Sequence, residues 1–399
     1  MQDHKTPDTV FILPAEDGTG VYLMAVGVEA AFHLDVMSSE KWTELDSWIE
    51  LQQDWVFGWI TYDAKNSIEK LESRHKDALE FPQLFFFVPQ HLFKWNGAER
   101  EVLKGAWSEQ FNELLTPEST QSNSAIDMHA RVSKEAYIEA ITTLQQHIHY
   151  GDIYEVNYCQ EFFAERKLSD PFSVWHKLRS FTNAPFSAFV RHENLHVMCA
   201  SPERFIRKKG NKIISQPIKG TIRRGETIEE DELLKQILLT SKKDRSENIM
   251  IVDLVRNDLS KFSERGSVKV EELCGIHTFQ TVHHLISTIS AEVKTDTTFS
   301  QIIRDTFPMG SMTGAPKIRA MQLIDEIELS ARGLYSGTIG YITPDGDFDF
   351  NVVIRSLLYN DSKPYLSYSV GGAITALSDP EGEFEECRLK ADALMRTLK

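Results

Sequence analysis

The chain has 399 residues, 41% of them hydrophobic, and its 43 Lys+Arg against 59 Asp+Glu give a formal net charge of −16 at pH 7. Such a composition excludes a disordered or collagen-like polypeptide, and its acidity, with no Lys/Arg-rich block, argues against a nucleic-acid partner. The length fits about two to three domains or one large one, with a core that needs neither disulfide nor structural metal.

In chain order, Met1-Gln2-Asp3-His4-Lys5 lacks the basic-then-apolar pattern of a secretory signal. Strand-like runs follow at Val21 to Val28, Trp55 to Tyr62 and Leu84 to Val88. The last is also the longest apolar run, far short of the ~20 residues that span a bilayer. The polar stretch Thr116 to Ser124 reads as a loop dividing an N-terminal part, residues 1–120, from the larger 125–399. Ser133 to Tyr150 has helical spacing at Tyr137, Ile141, Leu144 and Ile148, and Ala188 to Ala200 and Asn211 to Ile218 read as strands. A helix over Thr227 to Leu239 carries Ile228, Leu233, Leu234, Ile237 and Leu238. The next starts at Ser241, an N-cap residue, and turns Ile249, Val252, Val255 and Leu259 inward. Further on come a helix over Pro316 to Ile327, a turn at Pro344-Asp345-Gly346, and a last helix from Pro380. This mixture without a strict strand–helix–strand rhythm predicts an α+β fold. The four cysteines, Cys159, Cys199, Cys274 and Cys387, form no Cys-x-x-Cys pair and read as free thiols of a cytoplasmic protein.

Several segments combine polar chemistry with a structural position. In the last helix Phe384, Cys387, Ala391, Leu394 and Leu398 form the buried stripe, which leaves Glu383, Glu386 and Lys390 at the edge of the core. These acids either complement the helix dipole or, with Asp244 and Glu247 at the start of another helix, converge on a hard cation such as Mg²⁺. Gly310 to Lys317 is a Gly-rich turn feeding a helix but lacks the spacing of a Walker loop. Alternation over Asp347 to Leu357 puts Arg355 opposite Phe348 and Phe350, as a surface charge or a carboxylate clamp. Ser369-Val370-Gly371-Gly372-Ala373 ends the next strand with glycines that allow close backbone approach to a ligand. Gln216-Pro217-Ile218-Lys219-Gly220-Thr221 places a lysine just after a strand, as a solvated turn residue or as an amine held in a pocket.

Together these segments resemble the chorismate-binding enzymes, a family that includes the anthranilate, aminodeoxychorismate, isochorismate and salicylate synthases. The resemblance runs in family order through Gly151-Asp152-Ile153-Tyr154-Glu155-Val156-Asn157, Ser201-Pro202-Glu203-Arg204-Phe205, Pro217-Ile218-Lys219-Gly220-Thr221 and Asp244-Arg245-Ser246-Glu247-Asn248 with Arg256-Asn257-Asp258-Leu259. It continues through Gly310 to Lys317, Arg332-Gly333-Leu334-Tyr335-Ser336-Gly337 and Glu383-Phe384-Glu385-Glu386, and is only loose in the N-terminal third, around Gly58 to Tyr62.

The resemblance implies two packed β-sheets flanked by helices, and it assigns roles. Glu203 is the general acid that protonates the departing 4-hydroxyl of chorismate. Glu247 and Glu386, with Glu383 close by, form the Mg²⁺ shell. Tyr335, Arg355 and the Gly371-Gly372-Ala373 amides fit the enolpyruvyl carboxylate, and Gly220, Thr221, His284, Ser311 and Lys390 fall elsewhere in the substrate pocket. The lysine of Pro-Ile-Lys-Gly-Thr points to aminodeoxychorismate synthase component I, since anthranilate synthases usually carry Ala there. Lys219 then attacks C2 of chorismate, ammonia displaces it by attack at C4, and burial beside cations is expected to lower the lysine pKa. Glu155 departs from the Gln usual in the amino-transferring members, and Cys387 from the usual Thr. No cysteine sits in a glutaminase nucleophile elbow, so ammonia is expected from solution or from a separate glutamine amidotransferase subunit. The alternatives are an anthranilate synthase and a catalytically silent chorismate- or partner-binding protein.

Overall fold

The computed structural model describes residues 7–15, 20–96, 99–115 and 125–399, so the dividing stretch Thr116 to Ser124 lies outside the described residues. Among them the helices are α1 (Lys41–Gln52), α2 (Gln110–Leu115), α3 (Lys134–Tyr150), α4 (Pro171–Thr182), α5 (Ile228–Thr240), α6 (Lys242–Ser260), α7 (Phe299–Thr306), α8 (Lys317–Ile327) and α9 (Pro380–Thr397). Their starts follow from local chemistry. The side chains of Ser133, Asp170, Thr227, Ser241 and Asp379 each accept a backbone N–H from the first turn that follows, and Pro171 and Pro380 open α4 and α9.

The strands pair antiparallel throughout the described residues and fold over into two layers. One layer runs Thr9–Pro14, Phe186–His192, Leu195–Ser201, Ser356–Asn360, Tyr365–Ile374 and Glu155–Glu165. The other begins with Tyr22–Leu34, Leu84–Trp95, Val56–Ile60, Thr338–Ile342 and Phe348–Asn351. It continues through Arg204–Lys209, Lys212–Gln216, Val282–Glu292 and Lys269–Thr278, with Ile218–Arg223 beside Val282–Glu292 on the edge that Lys212–Gln216 also uses. The layers join where Thr9–Pro14 pairs with Tyr22–Leu34.

Period-two alternation decides which core each side chain enters. Phe11 and Leu13 join the cluster between the layers with Trp59, Phe85, Phe87, Val190 and Val197, whereas Val10 and Ile12 join Trp175, Phe189 and the inner faces of α3, α4 and α9. The Phe11 and Trp59 rings stack with centroids 5.8 Å apart. Each such buried side chain contributes roughly 1.5–3 kcal/mol of transfer free energy. The expected α+β architecture of two packed sheets with flanking helices is therefore the observed one.

Local expectations differ in four places. Ala188 to Ala200 is a hairpin that turns at Glu193, not one strand. The strand within Asp347 to Leu357 ends at Asn351; Val352 N–H and Val353 N–H still donate in register to Glu203 O and Gly337 O, and the chain then kinks, with Ile354 N–H folding back onto Val352 O and Arg355 at φ +52°. On α5, Ile228, Leu233 and Ile237 are exposed and only Leu238 and Asp231 are buried, since the helix lies against the sheet on a narrow face; Ile249 on α6 is exposed as well. Lys219 lies inside the strand Ile218–Arg223, not after its end.

Gly58 and Gly340 face each other across two strands, with the Phe86 and Phe350 rings lying against them. A Cβ on Gly58 would meet Phe85 O at 2.1 Å, so no side chain fits. Gly58→Ala is expected to destabilise the fold by about 1–3 kcal/mol, the cost of overpacking. An unchanged denaturation midpoint in urea would contradict that packing.

Candidate active site

One cleft of about 850 Å³ opens where the strand Tyr365–Ile374 and the kink at Arg355 meet α6 and α9. Lys219, Gly220 and Thr221 enter it from the strand Ile218–Arg223, Glu247 from α6, His284 from Val282–Glu292 and Ser311 from the turn Gly310–Met312. Glu203, Tyr335, Arg355, Gly371, Gly372, Ala373, Glu386 and Lys390 complete it. Fourteen of the fifteen expected site residues thus line one cavity, and the fifteenth, Glu383, is buried just behind Gly372 with its Oε2 3.3 Å from where a Cβ there would stand. Gly220 adopts φ +94°, which a side chain would strain, and this bend sits between the lysine and the threonine that both line the cleft. The first turn of α8 is not among the lining residues; the Gly-rich segment contributes Ser311 and Met312 instead.

At the cleft floor Glu203 is 4% exposed, and the Ser311 hydroxyl donates to its Oε1 at 2.6 Å. Burial pushes its carboxyl up to about 7, against the opposing pull of Ser311 and Lys219. The group is therefore poised to carry a proton near neutral pH. Lys219 is buried too, and its Nζ lies 3.0 Å from Glu155 Oε1. Burial acts to lower the Lys219 ammonium, but the carboxylates of Glu155, Glu247 and Glu203 outweigh it and hold the group above its ordinary value. The lowered lysine pKa expected from the sequence is thus not found, because acids and not cations face the amine.

The acids of α6 and α9 do converge. Lys243 Nζ donates to Glu383 Oε1 at 2.6 Å and stands 3.9 Å from both Glu247 Oε1 and Glu386 Oε2. Burial, opposed by Lys219 and aided by Glu155, pushes the Glu247 carboxyl up to about 8, and its Oε1 is buried without a hydrogen-bond partner. Lys390 holds Glu386 down at about 2. An ammonium among three carboxylates, one with an orphaned oxygen, is a place that stabilises positive charge. Among the described residues no three His, Cys, Asp or Glu side chains close into a ready metal cage. Mg²⁺ needs only one or two carboxylates, with water and substrate oxygens as its other ligands, so the donor set fits that ion.

Next to these acids the cleft wall is cationic. Lys390 Nζ bridges Glu386 Oε1 at 2.7 Å and Gly371 O at 2.9 Å, and Arg355 Nη1 donates to Lys390 O at 3.2 Å. His284 Nδ1 lies 2.8 Å from Thr221 Oγ1, and burial together with Arg355 and Lys390 lowers its imidazole to about 3, leaving it neutral. Behind them the Tyr335 hydroxyl is 3.3 Å from Cys159 Sγ. Such a wall suits a carboxylate ligand.

Two residues of the site were given no role in the sequence. Lys243 is four residues before Glu247 on α6, so helical spacing alone puts both on one face. Glu155 stands out only as a charged residue within the otherwise family-like segment Gly151 to Asn157.

A family model described as chorismate binding enzyme matches residues 13–396. An aminodeoxychorismate synthase of Streptomyces griseus is 44% identical over 269 residues, 67% of this chain and 37% of that protein. An aminodeoxychorismate synthase component 1 of Klebsiella aerogenes is 36% identical over 348 residues, 86% of this chain and 76% of that protein. Among solved structures, anthranilate synthase component I from Streptococcus pneumoniae TIGR4 superposes with a TM-score of 0.82 at 25% identity, covering 94% of this chain and 92% of that one. The chain spans about a third of the length of the Streptomyces relative and of the chloroplastic relatives from Oryza sativa and Arabidopsis thaliana.

Proposed function

Because the chain belongs to the chorismate binding enzymes, we propose that it converts chorismate and ammonia to 4-amino-4-deoxychorismate, as an aminodeoxychorismate synthase component I serving para-aminobenzoate and folate synthesis. The observation that carries this reading is Lys219, a primary amine buried at the cleft floor beside a raised carboxyl, Glu203. Attack of the neutral amine on C2 forms a C–N bond, shifts the two ring double bonds and breaks the C4–O bond. Glu203 gives its proton to the departing hydroxyl, which leaves as water. Ammonia then attacks C4, the double bonds shift back, and the C2–N bond breaks with its electron pair returning to Lys219. Glu203 regains its proton from the new amine.

Arg355, Lys390 and the backbone around Gly371 to Ala373 receive the enolpyruvyl carboxylate, with neutral His284 and Thr221 beside the ring. Glu247 and Glu386, with Glu383 behind them, would hold Mg²⁺ through their carboxylate oxygens, and the ion, when bound, neutralises the ring carboxylate. Glu386→Gln is expected to remove most magnesium-dependent turnover while the circular dichroism spectrum stays native. Wild-type activity and magnesium dependence in that variant would refute the assignment.

Ammonia is supplied by a separate glutamine amidotransferase in the cytoplasm. No helix among the described residues is long and apolar enough to cross a membrane. Glutamine alone is expected to support no turnover by the pure chain, whereas an ammonium salt at alkaline pH does; glutamine-dependent turnover would refute this division of labour. The decisive experiment incubates the pure chain with chorismate, Mg²⁺ and an ammonium salt and identifies the product by mass and absorbance. Formation of 4-amino-4-deoxychorismate is expected. Anthranilate would place the chain with the 2-aminating members, and no magnesium-dependent consumption of chorismate would mark it as catalytically silent.

A further inference from the structure

Glu155 is a buried carboxylate for which the chemistry above has no task. It is 1% exposed and opens the strand Glu155–Glu165, where it is fixed by pairing with Ala315. Its Oε1 lies 3.0 Å from Lys219 Nζ, and its Oε2 is buried without a hydrogen-bond partner. Other acids face the lysine: Glu203, Glu247 on α6 and, at longer range, Glu386 on α9. Among the acids of the described residues only Glu155 brings a carboxylate oxygen within 4.0 Å of Nζ. Glu203 must keep its own proton for the C4 hydroxyl, and Glu247 faces Lys243.

We infer that Glu155 is the proton acceptor for Lys219, taking a proton from the ammonium before the amine attacks C2 and returning it once the amine has left. The proton count closes. At rest the pair is ammonium and carboxylate. Transfer leaves neutral amine and carboxylic acid, and the acid keeps its proton while Lys219 is bonded to C2. When ammonia expels the lysine as a neutral amine, Glu155 gives the proton back. No external acid or base is required. The proton passes along the existing 3.0 Å contact to Oε1, and the buried Oε2, with no donor to stabilise a negative charge, leaves the carboxylate a readier acceptor. Glu155 acts through Lys219, so it is a positioning and proton-holding residue and does not itself attack the substrate.

This inference rests on Lys219 being the nucleophile, and the test separates the two. The full chain with Mg²⁺ and chorismate, but without ammonia, is quenched at intervals, and the Lys219 adduct is followed by mass. Wild type is expected to form the adduct; if it does not, the covalent reading and this inference both fall. Glu155→Gln is expected to slow adduct formation by about 10²–10⁴-fold near neutral pH, the range of general acid–base catalysis, with chorismate affinity little changed. The ratio of wild-type to variant rates should then shrink as pH rises and the unassisted amine loses its proton to solvent. The titration of Glu203 affects both proteins and cancels in that ratio. A ratio that does not change with pH, or a variant as fast as wild type, would overturn the inference while leaving the nucleophile in place. If Glu155→Gln does not fold, Glu155→Asp decides: adduct formation slowed several-fold with the wild-type pH profile is expected, and wild-type speed would overturn the inference.

Discussion

Lys219→Ala is expected to lose at least a few kcal/mol of transition-state stabilisation for the 4-amino product, roughly 10²–10³-fold in rate, because a covalent route divides one hard displacement into two easier ones. Removing the amine also leaves C2 open to ammonia, so residual amination should shift toward the 2-amino isomer. The substitution has a structural cost as well. Glu155, 3.0 Å from the lost ammonium, would be left buried and unpaired, and breaking a buried pair from one side costs about 3–5 kcal/mol. The double variant Lys219→Ala/Glu155→Gln removes the orphaned charge, so it should regain much of the stability and none of the 4-amino activity. Lys219→Arg keeps the charge but not the nucleophile. Near wild-type 4-amination by that variant, with no adduct trapped on the wild-type lysine, would show that Lys219 only neutralises charge.

Glu203→Gln is the second large effect. The amide accepts the Ser311 hydroxyl and fills the same volume but cannot protonate a leaving group. A loss of about 10²–10⁴-fold in rate with chorismate binding intact is expected. The pH dependence has a definite sign. The carboxyl titrates at about 7 in the folded chain against an ordinary 4.5, so its protonated, active form is present below about 7 and is lost as pH rises through that value. The same shift makes its contribution to stability full below 4.5 and spent above about 7, a dependence that Glu203→Gln should lack. A loss confined to affinity would make Glu203 a binding group instead.

Much of this site was legible because its residues sit in short segments whose order along the chain is distinctive, and because capping residues mark where the helices carrying them begin. Ser241 and Asp379 start α6 and α9, and the phase of each helix from its cap brings Glu247, Glu383 and Glu386 to one side. Pairings across space were less legible. The sign of the Lys219 shift depends on which charges face it, and Glu155 reaches it from a different strand far away in the chain. The kink at Arg355 depends on Ile354 N–H folding back onto Val352 O and on the positive φ of Arg355, which alternation of apolar residues does not encode. Periodicity likewise gave α5 its apolar positions but not the solvent that Ile228, Leu233 and Ile237 meet. Thr9–Pro14, Lys269–Thr278 and Val282–Glu292 are among the strands that the sequence pattern does not announce. In the last of these His283 and His284, and Ser287 and Thr288, interrupt the apolar pattern, and both histidines are buried.

The strand Val56–Ile60 lies between Leu84–Trp95 and Thr338–Ile342. Only the first of these neighbours emerges early from the ribosome. Until the second has been synthesised, one edge of a strand that carries Phe57 and Trp59 has no hydrogen-bonding partner within the chain, and the layer cannot close. Biosynthesis therefore passes through a long interval in which a sticky aromatic edge is available to other nascent chains. Slow, concentration-sensitive refolding is the consequence, and its yield should depend on dilution and on chaperones that cover such edges more than on the final stability of the sheet.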